Sequence, residues 1–592
     1  MAKTESPLST ALRRTWNVIL ILALLLAALA APTPAQERSA TTIRTTTRLV
    51  QLNVVVLDNH GRPVSGLAQD DFDVFDNGHL QKLSHFAVSA SPTPGSRPEA
   101  SPLILTNRPP HHDETSPGVT VILVDELLLQ NIYASESAKA SIRSARLAVL
   151  SFLSTLQPGE QVALYALRFE GIVVIHDLTD DSAALIAAAK TLGTGLHKGA
   201  IPIGDTAQAA AFRSMRSWME SGSHLSRRNE ARDDLTRILA GDAFLAIAHH
   251  LRGTPARKNL VWISPNFPSL VYGLDPGTML NERDTILPNS WGPTQPVFAN
   301  PEGYFERMRN FARMLSNANV ALYPMDAKGL PGGGYGGDQR YSPVSVPYAD
   351  TQGAVPWLNT APASVSPPPG SVSGLFGERQ AMELLASETG GRVFYDTNGL
   401  DSHIHEVVDD SRVAYLLGYY PGDAAWDSKY HHVEVKLKRP GLSAHCRKGY
   451  FAKDEPLTPF QDAVLRDAAK SMLEWAAIGV TLNVPSNPLG WFDQDVVLKL
   501  DTENLHFENT EGRFRANLDV LFALLAKDGR VLDSIKDRLE LALYPQTFSD
   551  ASSRGWLYPK TLYVSPEAEK LRVVVRDLGN GAVGSVSIPV RK

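Results

Sequence analysis

Three carboxylates stand where the residue pattern could bring acid–base chemistry together: Asp125, closing the apolar run Val119 to Val124, its neighbour Glu126, and Asp177 further along. Acidic residues at the ends of buried strands can act as general acid and base in a hydrolase, and these are the acidic candidates the pattern places at sheet-end loops. Other constellations carry less. His403-Ile404-His405-Glu406 lacks the pair of histidines four residues apart that binds zinc on a helix, so it reads as a surface helix. The pairs His111-His112, His249-His250 and His431-His432 are scattered between elements, and adjacent side chains seldom face one site. Gly332-Gly333-Gly334 lacks the Lys-Ser/Thr of a phosphate loop and reads as flexible linker. No Gly-x-Ser-x-Gly occurs. Trp357, Trp426 and Tyr419-Tyr420 offer rings of the kind carbohydrate platforms use, with core and edge packing as the plainer role.

These residues need a scaffold, and the apolar pattern predicts one. Val119 to Val124, Gln161 to Leu167, Ile172 to Ile175, Asn259 to Ser264, Val320 to Tyr323 and Arg392 to Tyr395 read as strands, alternating with helix-like stretches. That rhythm implies α/β architecture: a doubly wound, mostly parallel sheet buried on both faces, with ligands beyond the carboxyl ends of its strands. All-β, sandwich-like modules are expected on either side. The expected division is a signal segment at 1–35, a small β module at 45–90, a Pro/Ser-rich linker at 91–117, the α/β domain at 118–412, a β extension at 413–453 and a C-terminal β-sandwich at 457–592. Insertions at 193–230, 266–300 and 329–374 interrupt the α/β part and leave from the sheet ends, where binding surfaces usually sit.

Several runs in this order carry a resemblance. Gly61 to Leu67, Asp70 to Gly78, Pro158 to Tyr165, Asp177-Leu178-Thr179-Asp180-Asp181, Glu388 to Tyr395, Tyr415 to Pro421 and Arg447 to Ala452 together resemble the exported von Willebrand factor A-related family abundant in Acidobacteria. The resemblance covers roughly Leu49 to Ala452. It implies a von Willebrand factor A-like, Rossmann-type fold and a possible metal-ion-dependent adhesion site, in which Mg²⁺ takes hard oxygen ligands and a partner's carboxylate completes the shell. Asp125 matches that site's first position. Leu127 and Leu129 occupy its serine positions and offer no oxygen, and Ser264-Pro265-Asn266 stands where an aspartate is expected. Thr194 or Thr206 could replace the second-loop threonine. The implied site is therefore degenerate. Asp125, Glu126, Asp177, Thr179, Ser264 and Asn266 are its candidate ligand-binding residues, Asp125 is its one surviving metal position, and no cofactor is expected.

Composition bounds the setting. Positive Arg13 and Arg14, an apolar run from Val18 to Ala31 and small residues through Ala35 have the order of a secretory signal, with an uncleaved anchor as the alternative. Either reading places the remainder outside the cytoplasm, periplasmic or extracellular, with no later membrane span. The 57 basic and 63 acidic residues nearly balance and form no basic block, which argues against nucleic acid as a partner. The single cysteine, Cys446, cannot close an internal disulfide and reads as a buried thiol, so the domains must rest on their apolar cores. The expected function is a non-enzymatic protein-binding or adhesion scaffold. The alternatives are an extracytoplasmic hydrolase and a structural envelope component.

Overall fold

Val50–Asp58 (β1) alternates buried and half-buried side chains over its first half, the period of two that a strand imposes. It opens the computed structural model, which describes residues 49–88, 104–107, 118–127, 136–168, 171–194, 240–254, 256–265, 312–329, 372–421, 429–452, 461–484 and 491–590. The expected signal segment and most of the three expected insertions lie outside these residues. β2 (Phe72–Asp76), β3 (His79–Gln81) and β4 (Leu83–Val88) follow β1. Asn77 and Gly78 turn β2 into β3 at φ 48 and 81, the left-handed pair a tight hairpin needs.

The stretch expected as linker contributes a strand, β5 (Ile104–Thr106). The central part then runs β6 (Val119–Asp125), α1 (Glu136–Leu153), β7 (Gln161–Arg168), β8 (Gly171–Thr179), α2 (Ser182–Ala189), α3 (240–251), β9 (Lys258–Ser264), α4 (312–317), β10 (Val320–Asp326), α5 (Val372–Thr389) and α6 (Leu400–Arg412). β11 (Tyr415–Tyr419), β12 (Tyr430–Leu437), β13 (Leu442–His445) and β14 (Gly449–Phe451) return to the first module. α7 (Gln461–Lys470) leads to β15 (Val480–Asn483), β16 (Phe492–Leu500), β17 (Glu508–Thr510), β18 (Arg513–Leu525), β19 (Val531–Leu543), α8 (Pro545–Arg554), β20 (Trp556–Val564), β21 (Lys570–Asp577) and β22 (Val583–Pro589).

The strand pairings overturn the doubly wound α/β class expected of the chain. Among the described residues the protein is mostly β, and its sheets are antiparallel in the orders β13-β1-β11-β4, β14-β12-β2-β3, β20-β16-β15-β5 and β17-β18-β21-β22. A single mixed sheet, β10-β9-β6-β7-β8, is α/β-like. Within it β6 pairs in parallel with β7 and β9, whereas β8 turns back antiparallel on β7. Only two residues separate those strands, and a parallel crossover needs a dozen or more. The Arg392 to Tyr395 strand expected to extend this sheet is reduced to an isolated bridge between Met325 and Phe394. The rhythm of the central segment dominated the expectation because fully buried strands such as β6 are the most continuous apolar runs.

The first module is a sandwich assembled from both sides of the central part. β1 lies between β11 and β13, and β12 pairs with β2. Leu52, Val54, Phe72, Tyr415, Leu417 and Val433 share its core, so the expected small module and the expected extension are one packed body. In the mixed sheet, Val121 and Leu123 of β6 face a cluster with α3 and α5, and Ile122 and Val124 face one with α1 and α6. The C-terminal sheets bury Leu482, Val496 and Leu498 against Leu518, Val520 and Val573. β5 reaches across to join that sandwich beside β15. No helix among the described residues is long and apolar enough to cross a membrane.

Candidate functional site

Three of the predicted residues meet at the carboxyl end of the mixed sheet. Asp125 closes β6 and is 1% exposed; its Oδ1 accepts the Leu127 amide at 3.0 Å and its Oδ2 accepts the Ser264 hydroxyl, at the end of β9, at 2.8 Å. Glu126 is equally buried. Its Oε1 accepts the Gly193 amide at 2.6 Å and its Oε2 accepts Arg168 Nε at 2.7 Å. Hydrogen bonds of this length from a guanidinium and a backbone amide fix a buried carboxylate in one orientation. Arg168 is thereby tied to Glu126, and Gly193, at the start of the first insertion, is tied to the sheet end.

Asp177 and Thr179 do not join them. β8 runs antiparallel, so Thr179 pairs with Val162, near the amino end of β7, while Asp125 lies level with Leu167 at the other end. Five residues of strand at ~3.3 Å each separate those levels by roughly 16 Å. Thr179 Oγ1 accepts the Asp181 amide, a local turn bond ahead of α2. Asn266 lies outside the described residues, as does Thr206, and Thr194 Oγ1 donates to the Thr191 carbonyl. Of the six, Asp177 and Thr179 thus stand apart from Asp125, Glu126 and Ser264, with β8's reversed direction as the cause. Among the described residues no group of three His, Cys, Asp or Glu side chains is placed to hold a metal ion.

Asp177 instead belongs to a junction between the mixed sheet and the C-terminal sandwich. Its Oδ1 accepts Tyr165 OH at 2.7 Å, the Leu178 amide at 2.8 Å and His250 Nε2 at 3.2 Å. On its other side His250 Nδ1 meets the Glu474 carbonyl at 2.7 Å. A carbonyl and a carboxylate both only accept, so both ring nitrogens donate and His250 is an imidazolium. Burial opposes that charge, but the Asp177 bond and charge, with the Glu474 contacts, leave the pKa of His250 raised. Burial also opposes the Asp177 charge, yet His250, Tyr165 and the Leu178 amide hold its carboxyl well below the usual range. Next door, His249 stacks on Trp475 with ring centres 3.8 Å apart, and burial pushes its pKa down to about 3. Sequence reasoning left this histidine pair unassigned. Its partners lie 73 and 224 residues away, and no local spacing announces them.

The other singled-out residues serve the fold. His403 stacks on Phe394 and His405 meets Phe152 edge-on, while Ile404 between them is fully buried, so α6 is a packed helix instead of a surface one. His431 Nδ1, Tyr419 OH and Tyr450 OH converge on buried Asp76 at 2.8, 2.9 and 2.8 Å. Cys446 is a free thiol whose pKa burial pushes up to about 11. Trp357, Trp426, His111, His112 and the Gly332 run lie outside the described residues. A cleft of about 730 Å³ opens between α5 and the first sandwich, lined by residues including Arg392, Tyr395, Glu434, His445 and Arg447, none of them a predicted ligand residue.

No protein-family model matches the chain, and no curated protein matches it. Among solved structures, the human COPII-coat protein Sec24c aligns at 7% identity and TM-score 0.22 over 60% of this chain and 50% of its own length. The pilus adhesin SpaC from Lactobacillus rhamnosus GG, in its open conformation, aligns at 9% identity and TM-score 0.25 over 88% of this chain and 57% of its own. The chain thus spans about half the length of the one and little more than half of the other, and neither likeness defines a fold or a function for it.

Proposed function

We propose that the chain is an exported, non-enzymatic scaffold that binds a protein partner. One observation carries this reading: the carboxylates at the end of the mixed sheet are consumed by internal partners. Asp125 is held by Leu127 and Ser264, and Glu126 by Arg168 and Gly193. A general base needs a free lone pair aimed at its substrate, and a magnesium site needs several oxygens turned toward one point. These groups are turned toward the protein. His250 likewise has both ring nitrogens engaged. The leader with its arginines, apolar run and small residues supports export, and the ordered motifs from Gly61 to Ala452 support kinship with the exported von Willebrand factor A-related family.

The test is crosslinking of the full chain in envelope and medium fractions, followed by mass spectrometry. Recurrent capture of one protein is expected. Hydrolysis of a peptide or glycan panel that disappears in a Glu126→Gln variant would overturn the proposal in favour of an enzyme.

A further inference from the structure

The amino end of β16 carries three exposed aromatic side chains. Trp491 is 40% exposed, Phe492 60% and Tyr563, across on β20, 55%. The Phe492 and Tyr563 rings lie 6.3 Å apart at 63°, an edge-to-face pair left in solvent. Strand alternation would send Phe492 inward with Val496 and Leu498, because it pairs with fully buried Val564. Its φ of +64 turns it out to meet Tyr563 instead. A bulky residue in that region is strained, and such strain clusters at binding sites. Burial offers no return for this strain.

The charge beside the rings selects the occupant. Asp493 sits opposite Tyr563 and Asp495 opposite Thr561, whose hydroxyl donates to Asp495 Oδ1 at 2.6 Å. Both carboxylates share the outward face with Tyr563, and the nearest basic side chain on that face of β16 is Lys499, toward its far end. Aromatic faces next to carboxylates that have no ion-pair partner among the described residues match a guanidinium, which stacks on a ring and pairs with an oxygen pair at the same time. The open edge of β20 cannot add a partner strand through Pro559, which has no N–H to give. Recognition must therefore use side chains on the face.

We propose that the outer face of β16 and β20, centred on Phe492, Tyr563, Asp493 and Asp495, docks an arginine-bearing segment of a protein partner. This deepens the scaffold reading above and rests on it.

The experiment is fluorescence anisotropy of the full chain with a labelled peptide alternating arginine and glycine, beside a glutamate–glycine control and a neutral β-linked oligosaccharide. Binding of the arginine peptide alone is expected, weakening as salt rises. A Phe492→Gly variant removes the ring and accepts the positive φ, so it should fold at least as stably while losing affinity about tenfold or more. The double variant Asp493→Asn with Asp495→Asn should lose a similar factor and most of the salt dependence. Equal binding of the glutamate peptide, arginine-peptide binding untouched by both variants, or oligosaccharide binding in place of peptide binding would each overturn the proposal. Partner capture from envelope material by these variants at wild-type yield would overturn this docking face while leaving the scaffold reading standing.

Discussion

Glu126 and Arg168 face each other at 2.7 Å at the end of the mixed sheet, each side chain 2% exposed. Removing one member strands the other's charge in the core. Glu126→Ala should therefore cost about 3–5 kcal/mol in denaturant unfolding, and the double variant Glu126→Leu with Arg168→Met should recover much of it. Equal losses from the single and double changes would show the pair to be unimportant.

The junction between His250 and Asp177 predicts a stability window in pH. The folded pKa of His250 lies above its ordinary 6.5, so its contribution is complete below that value and fades as pH rises through the raised one. The folded pKa of Asp177 lies below 3.8, so its contribution is complete above that value and fades as pH falls through the lowered one. The bond should help most between those limits. Because half of the Asp177 side chain is exposed, screening holds the gain to ~0.5–1 kcal/mol. Melting curves of wild type and His250→Gln across pH 4 to ~9 should converge at the alkaline end. Parallel curves would refute the linkage.

Gly253 stands where a Cβ would run into the Ala476 carbonyl, so helix α3 and the C-terminal sandwich touch backbone to backbone there. Gly253→Ala should force the two apart, at a cost of about 1–3 kcal/mol from overpacking. Hydrogen exchange at the Ala476 amide, which donates to the His249 carbonyl, should quicken ahead of global unfolding. Unchanged exchange there would mean the junction yields elsewhere.

Calorimetric titration of the full chain with Mg²⁺ and Mn²⁺ should give no heat beyond dilution, because Asp125 keeps both oxygens on Leu127 and Ser264. A saturable heat abolished by Asp125→Ala would restore a metal-dependent site.

What the sequence made legible follows from how local each signal is. β6, β7, β9 and β10 begin within a residue of their expected starts, because each is a continuous apolar run. Long-range features left no such trace. Ile104–Thr106 is three residues inside a Pro/Ser-rich stretch, and its strand state depends on Thr481 to Asn483 lying beside it. Asn107 then fastens that segment through the Trp475 and Ile478 carbonyls and the Val480 amide. The site was half legible for the same reason. Asp125 and Ser264 end parallel neighbours and meet as expected, whereas the reversal of β8 carries Asp177 and Thr179 to the opposite end. Within the expected β extension the chain breaks around Cys446, because β13 and β14 on either side of it serve different sheets.

The first sandwich closes only when β11 to β14 arrive, as the bond from the Leu67 amide to Tyr415 OH, 348 residues later, makes plain. A chain emerging amino end first therefore carries β1 unpaired through the making of everything between. Its apolar face and open edge are exposed for that whole interval, when misassembly is most dangerous. The division of this module between the two flanks ties its maturation to the last of those strands and leaves early truncation products with β1 unpaired.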